Sequence, residues 1–238
     1  MQAETFLKEI GGKSVVEQIV ENITNAIING ELKPGDKIPT ENELCASMGV
    51  GRNSVREAIK ILVAYGVLVI KRAEGTFVKQ DYDKKMLFPV LYGIILQKDS
   101  AKQLIEMRKI IDVGILQLAI EKLDFQSLHK LELAMQELER TMSAAQVKAS
   151  DIFAADTEFH KVLVDITENA LLEGICYYVD QITKASRLKA IEMFLEAKAT
   201  EEFLRMHRDM VQVLQKKDHS KIGEVIEKHY EYWEKVSL

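Results

Sequence analysis

Several features are scarce in this sequence of 238 residues, and each scarcity excludes a class of protein. The two cysteines, Cys45 and Cys176, fit no CxxC spacing and are too few for a disulfide-rich secreted domain. No apolar run approaches the roughly 18 residues of a membrane helix, and no basic segment followed by an apolar core opens the chain. The formal net charge of −5 excludes a uniformly basic coat for nucleic acid. We therefore expect a cytoplasmic protein that does not engage membranes.

Helix-breaking residues are also scarce over most of the chain. All three prolines lie within the first 89 residues, and beyond residue 93 the only glycines are Gly114, Gly174 and Gly223. This pattern predicts a mainly α protein, in which a small mixed domain precedes an all-α bundle of about seven helices. The expected bundle helices span 84–97, 100–122, 125–147, 150–167, 169–197, 200–217 and 219–236.

Charge sharpens the division between the two parts. Residues 13–48 carry a net charge of −3, whereas residues 49–79 carry +4, so the basic stretch is short and lies in the small domain. We predict a tail over 1–12, the small domain over 13–80, a linker with the first bundle helix over 81–99, and a helical domain over 100–238.

Local signals in the small domain predict a winged helix-turn-helix. Ser14 can cap a first helix, and the pattern from Thr40 to Glu43 fits a capping box that opens a second. A third helix is expected from Arg52 to about Tyr65, with Val55, Ile59 and Leu62 facing inward. Two short strands, 67–71 and 76–79, then form a hairpin.

The third helix and the hairpin carry the residues expected to contact DNA. Arginine pairs with guanine and asparagine with adenine in the major groove, and a helix N-terminus suits a phosphate. A basic helix is more often a solvated face, but the order of elements favours DNA binding. The candidate residues are Arg52, Asn53, Ser54, Arg56 and Lys60 on the helix, with Arg72, Gly75 and Thr76 on the hairpin.

Metal ligation is indicated in the helical part. Asp156 and His160 are four residues apart and share one face of a helix, and His207 and His229 occur in later helices with apolar neighbours. These four residues can converge on one divalent ion, with Zn²⁺, Ni²⁺, Mn²⁺ and Fe²⁺ all compatible. The alternative is that each histidine is exposed or otherwise satisfied. His129 and His219 are expected at the surface.

The segments Ile38–Leu44, Gly49–Ala58 and Gly75–Val78 closely resemble the DNA-binding domain of GntR-family bacterial repressors, and the helical part resembles the FCD domain of the FadR branch. The resemblance implies that Arg52 and Arg56 contact bases or adjacent phosphates, while Ser54, Gly75 and Thr76 serve the contacts of the wing and those to the DNA backbone. Departures from the family pattern at Asn42, Gly51 and Ala73-Glu74 affect the expected operator sequence.

The resemblance also covers the helical part, because the order D-x3-H…H…H matches the FCD metal-binding pattern. Arg108 matches an arginine that binds the acidic group of the effector in relatives. The alternative for Arg108 is an ordinary helical ion pair with Asp112, four residues further on.

Together these features predict a metabolite-responsive transcription factor, usually a repressor. It is expected to bind a pseudo-palindromic double-stranded DNA operator as a homodimer and to respond to a small carboxylate effector. The alternative is a metal-dependent hydrolase with an Asp/His3 site, although Glu158, the nearest candidate base, points away from Asp156 on the helix. A third interpretation makes the metal purely structural.

Overall fold

The computed structural model describes residues 13–81, residue 93 and residues 100–237. The chain divides into two compact units, Met1–Val90 and Leu91–Leu238. The tail predicted over 1–12 lies outside the described residues, and so does the helix predicted over 84–97 apart from Gly93. Within the described residues, no helix combines the length and apolar character that crossing a membrane requires.

The first unit has the predicted order of three helices and a hairpin. Two capping boxes fix the starts of its first two helices: Ser14 and Glu17 bond reciprocally, and so do Thr40 and Glu43. The left-handed Gly49, with φ of 66°, ends the second helix. The elements are α1 (Val15–Ile28), α2 (Glu41–Met48), α3 (Arg52–Ala64), β1 (Leu68–Lys71) and β2 (Gly75–Val78).

One apolar core holds this unit together. Val55, Ile59 and Leu62 of α3 are buried, as their helical spacing predicts. They belong to the same buried cluster as residues of α1, α2 and the hairpin. The two strands pair antiparallel, from Leu68 opposite Val78 to Lys71 opposite Gly75. The core therefore fixes which face of α3 remains exposed.

The second unit is all-α in its described residues. Apart from the end of its second helix and the start of its last, the helix bounds agree closely with the periodicity, and Asn169 caps the long fourth helix as expected. Its elements are α4 (Ser100–Lys122), α5 (Phe125–Met142), α6 (Ala149–Ile166), α7 (Ala170–Glu196), α8 (Thr200–Lys216), a 3-10 turn (His219–Lys221) and α9 (Ile222–Ser237).

Two predicted helix bounds were wrong. Helix α5 ends at Met142 rather than 147. The Ser143 hydroxyl donates to the Glu139 carbonyl at 2.8 Å, and the Ala144 N–H turns back to the Thr141 carbonyl, which tightens and closes the helix end. The last helix begins with a 3-10 turn capped by Asp218, so its α-helical part starts at Ile222 instead of residue 219.

Polar and charged side chains lie inside the apolar core of this unit. His207 is fully buried, as is the neighbouring apolar residue Phe159, and Tyr230 is 1% exposed. Burying an unpaired charge is costly, so such groups are expected to pair with one another. The buried polar and charged residues are Arg108, Asp112, Asp156, His160, Thr167, Thr183, Arg187 and His207.

Candidate functional site

Helix α3 presents the predicted DNA-facing residues on its outer side. Arg52, Asn53, Arg56 and Lys60 are exposed, while Ser54 is half-buried near the start of the helix. The side chains share this face because the opposite side of α3 is anchored in the core of the first unit. A helix face of this composition can present donors to base edges and phosphates in the major groove.

The sequence did not indicate that residues of α2 hold the two arginines. The Arg52 guanidinium donates to Asn42 Oδ1 at 2.6 Å, and Arg56 Nε donates to Glu41 Oε2 at 2.7 Å. Asn42 is one of the positions that depart from the family pattern, and here it partners a candidate base-reading arginine. The two arginines are thus oriented from the N-terminus of α2 before any DNA is bound.

The hairpin carries the other candidate DNA contacts. Arg72 is exposed at its tip, and Gly75 and Thr76 are half-buried. Gly75 has φ of +126°, and a Cβ there would lie 2.5 Å from Cε of Lys37. Glycine is therefore required at this position by the hairpin itself, independently of any contact with a phosphate.

Three histidines from three helices meet in the core of the second unit. The ligating nitrogens of His160 on α6, His207 on α8 and His229 on α9 lie within 4.8 Å of one another. Asp156 lies one helical turn before His160, and its Oδ1 is 2.8 Å from Nε2 of His207 and 3.6 Å from Nε2 of His160. The structure thus brings together the four residues singled out as metal ligands.

The hydrogen bonds of His207 bear on whether a cation fits this site. Its Nδ1 is 2.8 Å from the Phe203 carbonyl oxygen, which only accepts, so Nδ1 carries a hydrogen. In a neutral ring Nε2 then has a lone pair, and it faces a carboxylate oxygen of Asp156. Two acceptors this close require a proton or a metal ion between them. Among the described residues, the buried Nδ1 of His229 has no hydrogen-bond partner, which also fits a metal ligand.

The protonation states favour metal ligation. Burial alone would raise the pKa of Asp156, but the Arg187 guanidinium and the bond to His207 hold that pKa well below its usual range. Burial lowers the pKa of His160 and the pKa of His229 well below the ordinary value for imidazole. The site therefore offers an ionised carboxylate at Asp156 and neutral rings at His160 and His229, which are the ligand forms that metals bind.

A buried chain of ion pairs extends from Asp156. Arg187 donates to Asp156 Oδ2 at 2.5 Å and to Asp180 Oδ1 at 2.8 Å. Asp180 also accepts from Arg108, which lies 3.4 Å from Oδ1 of Asp112. The Tyr230 hydroxyl completes the chain by donating to Asp112 at 2.5 Å. Arg108 thus forms the ion pair with Asp112 that the sequence offered as its alternative role, and a second one with Asp180.

The sequence alone did not indicate that three further residues belong to this site: Arg187, Asp180 and Tyr230. Asp180 and Arg187 are seven residues apart on α7, so they lie on one face of the helix, two turns apart. This spacing of an acidic and a basic residue was the one indication in the sequence that the two side chains could pair. Their partners on other helices are 31 and 72 residues away in sequence. No periodicity within one helix identifies such partners.

A cavity adjoins the histidines and both arginines. It has an empty volume of about 480 Å³, part of which is open to solvent. Its polar lining consists of Arg108, Arg187, Asp156, His160, His229 and Tyr230. The remaining wall is apolar, and an apolar cavity with a few polar groups is typical of small-molecule sites.

Comparisons with known proteins place both units in established families. Residues 15–78 match the gntR family of bacterial regulatory proteins, and residues 103–232 match the FCD domain. The HTH-type transcriptional regulator LutR of Bacillus subtilis is 32% identical over 73% of this chain and 78% of its own length. The galactonate operon transcriptional repressor of Escherichia coli is 25% identical over 71% of this chain and 74% of its own length. A solved GntR structure from Streptococcus agalactiae has the same fold, with a TM-score of 0.54 at 22% identity over 92% of this chain and 98% of its own.

The chain belongs to the GntR family and combines its helix-turn-helix domain with an FCD domain. It is a metabolite-responsive, DNA-binding transcriptional regulator and not an enzyme, as the two domains and the relatives indicate. The hydrolase alternative is therefore not supported. Glu158 also lies away from the histidines, because its side chain is 61% exposed and is 3.6 Å from the Lys161 ammonium.

Proposed function

We propose that this regulator represses transcription and that a divalent metal and a small carboxylate in its helical domain together control its binding to DNA. The observation that carries this proposal is the convergence of His160, His207 and His229 with Asp156 beside a cavity that also contains two arginines. Three imidazoles and a carboxylate suit Zn²⁺, Ni²⁺, Mn²⁺ or Fe²⁺. When bound, such an ion would offer open positions to an oxygen of the effector.

The chain's own residues would orient the ion and the effector. The Phe203 carbonyl holds the ring of His207 through a hydrogen bond from Nδ1. The Arg187 guanidinium holds Asp156 by donating to its Oδ2 at 2.5 Å. Arg108 lines the same cavity, and a guanidinium is the side-chain group best suited to a carboxylate. The galactonate in the name of one relative is a hydroxycarboxylate, which supports an effector of this class.

The proposed DNA contacts use the outer face of α3 and the hairpin. Arg52, Asn53, Arg56 and Lys60 would enter the major groove, and Ser54 would bind a phosphate at the start of the helix. Arg72, Gly75 and Thr76 would follow the backbone or minor groove. A pseudo-palindromic operator has two half-sites, so we propose a homodimer whose two-fold symmetry matches them.

Effector control requires a ligand that favours one state of the protein over another. The metal ligands come from α6, α8 and α9, and the arginines from α4 and α7, so an effector held by both sets would change how these helices pack. A purely structural metal would instead leave the response to a carboxylate intact after chelation, apart from a loss of stability.

The test is operator binding by the full chain, measured by fluorescence anisotropy on double-stranded DNA selected in vitro. Galactonate and other small hydroxycarboxylates are added to wild type, to His160→Ala and to His219→Ala, whose histidine is exposed. We expect at least one acid to change the affinity of wild type and His219→Ala about tenfold or more, and to have no effect on His160→Ala. An equal response in His160→Ala would overturn the proposed role of the metal site.

A further inference from the structure

The charged side chains that adjoin the histidines form a connected group, and the net charge of this group can be counted. Among the described residues, contacts join the guanidinium groups of Arg108 and Arg187 to the carboxylates of Asp112, Asp156 and Asp180. In formal charge, each guanidinium counts as one positive charge and each carboxylate as one negative charge. Two positive charges therefore face three negative charges, which leaves one negative charge in excess.

A divalent ion on Asp156 and the histidines reverses this excess, so that one positive charge remains. An effector with one ionised carboxylate then makes the group neutral. An effector with two carboxylates would restore an uncompensated negative charge. Because most of these charged side chains are buried, where uncompensated charge is costly, the two classes of effector are expected to differ in affinity.

Asp180 differs from the other two carboxylates of this group because it contacts both arginines. Its Oδ1 accepts from Arg187 at 2.8 Å and from Arg108, so one carboxylate of the chain engages both arginines of the cavity. Among the residues that the structure describes, the rest of the cavity wall offers no cation to receive a second carboxylate. That part of the wall is formed by Ala190, Ile191, Phe194, Phe203, Met206 and Trp233.

We propose that the sensor site selects effectors with a single carboxylate and that Asp180 is the residue that sets this limit. The inference rests on the proposed function, because it assumes a metal and a carboxylate effector in this cavity. Asp180 acts as a specificity-determining residue by neutralising arginine charge that would otherwise pair with a second carboxylate of the effector.

The test uses two acids with the same four-carbon skeleton, 2-hydroxybutyrate and malate, which differ by a methyl group in place of a carboxylate. Their affinities for the Zn²⁺-loaded full chain are measured by isothermal titration calorimetry. We expect wild type to bind 2-hydroxybutyrate at least about tenfold more tightly than malate. Asp180→Asn keeps a hydrogen-bond acceptor but removes the charge, and it should reduce that ratio about tenfold or more.

Two further variants separate charge from fold. Asp180→Glu retains the charge and should retain the wild-type ratio of affinities. Glu192→Gln removes a negative charge from an exposed position of the same helix, and it should also leave the ratio unchanged. If Asp180→Asn does not fold, the wild-type comparison still decides the charge limit, and Asp180→Ser, which also removes the charge, tests the residue.

The outcomes distinguish the inference from the function on which it rests. Wild-type protein that binds malate as tightly as 2-hydroxybutyrate would overturn the single-charge limit and leave the carboxylate effector standing. A preference for 2-hydroxybutyrate that persists unchanged in Asp180→Asn would remove Asp180 from the proposal. If neither acid binds, and no hydroxycarboxylate changes the affinity for the operator, the proposal of a carboxylate effector is itself refuted.

Discussion

Arginine–carboxylate pairs occur in both functional regions, but their exposure differs greatly. The side chain of Arg56 at the DNA-facing surface is 55% exposed and that of its partner Glu41 is 37% exposed. In the helical domain, the side chain of Arg108 is 4% exposed and that of Arg187 is 8% exposed. Exposed pairs contribute little to stability, so Arg56 can exchange its partner for DNA at small cost. The buried arginines can exchange theirs only if another anion takes its place.

The largest expected effect comes from breaking the buried chain. Arg187→Met leaves Asp156 and Asp180 without their shared cation, and in chelator-treated protein we expect a loss of about 3–5 kcal/mol in the free energy of unfolding. Urea denaturation measures the loss. Lys189→Met removes a positive charge from an exposed position of the same helix and serves as the control. A loss below about 1 kcal/mol would show that the buried pairs behave like surface pairs.

A substitution at the DNA-facing surface should change the affinity for DNA and not the stability of the fold. Arg56→Ala should weaken operator binding by about 1–3 kcal/mol if Arg56 reads a base, with little change in the free energy of unfolding. Fluorescence anisotropy and urea denaturation measure the two quantities. Lys33→Ala removes the same charge from an exposed position outside α3 and the hairpin. Equal weakening in both variants would attribute the effect to overall charge.

Lowering the pH should destabilise the buried site in protein stripped of metal. The pKa of His160 and the pKa of His229 are lowered in the folded state, so the unfolded chain binds more protons once the pH falls below about 6.5. Stability is therefore fully present above that pH and is lost as the pH falls toward the folded pKa values. Urea titrations at pH 7.5 and 5.5 should differ by up to about 1.4 kcal/mol for each histidine. His160→Ala should reduce the difference, and an unchanged difference would contradict the assignment.

The smallest effect is expected for Glu41→Gln. The Arg56–Glu41 pair is exposed, so its loss should change the free energy of unfolding by less than about 1 kcal/mol. Without the carboxylate, Arg56 is less well oriented, and we expect poorer discrimination between the operator and random DNA. Anisotropy with both duplexes measures this discrimination. If discrimination is unchanged, Glu41 does not position Arg56.

Local features were predictable from the sequence because their causes are local. The capping boxes at Ser14 and Thr40 and the buried face of α3 depend on residues within one or two helical turns. The end of α5 was not predictable in this way, since no glycine or proline marks it and a serine hydroxyl closes it.

The candidate sensor site was predictable only in part. Asp156 and His160 are spaced by one turn, and the resemblance to the FCD domain added His207 and His229. The pairing of Arg187 with Asp156 and of Arg108 with Asp180 depends on how separate helices pack. A helical period identifies the buried face of each helix, but it does not identify the residue that lies opposite.

The most direct test of the central claim, a metal site formed by Asp156 and three histidines, is native mass spectrometry of protein purified without chelators. We expect one divalent ion per chain in wild type, loss of that ion in His160→Ala, and its retention in His129→Ala, whose histidine is exposed. A wild-type protein without metal, or a His160→Ala protein with its metal retained, would contradict a metal site at these four residues.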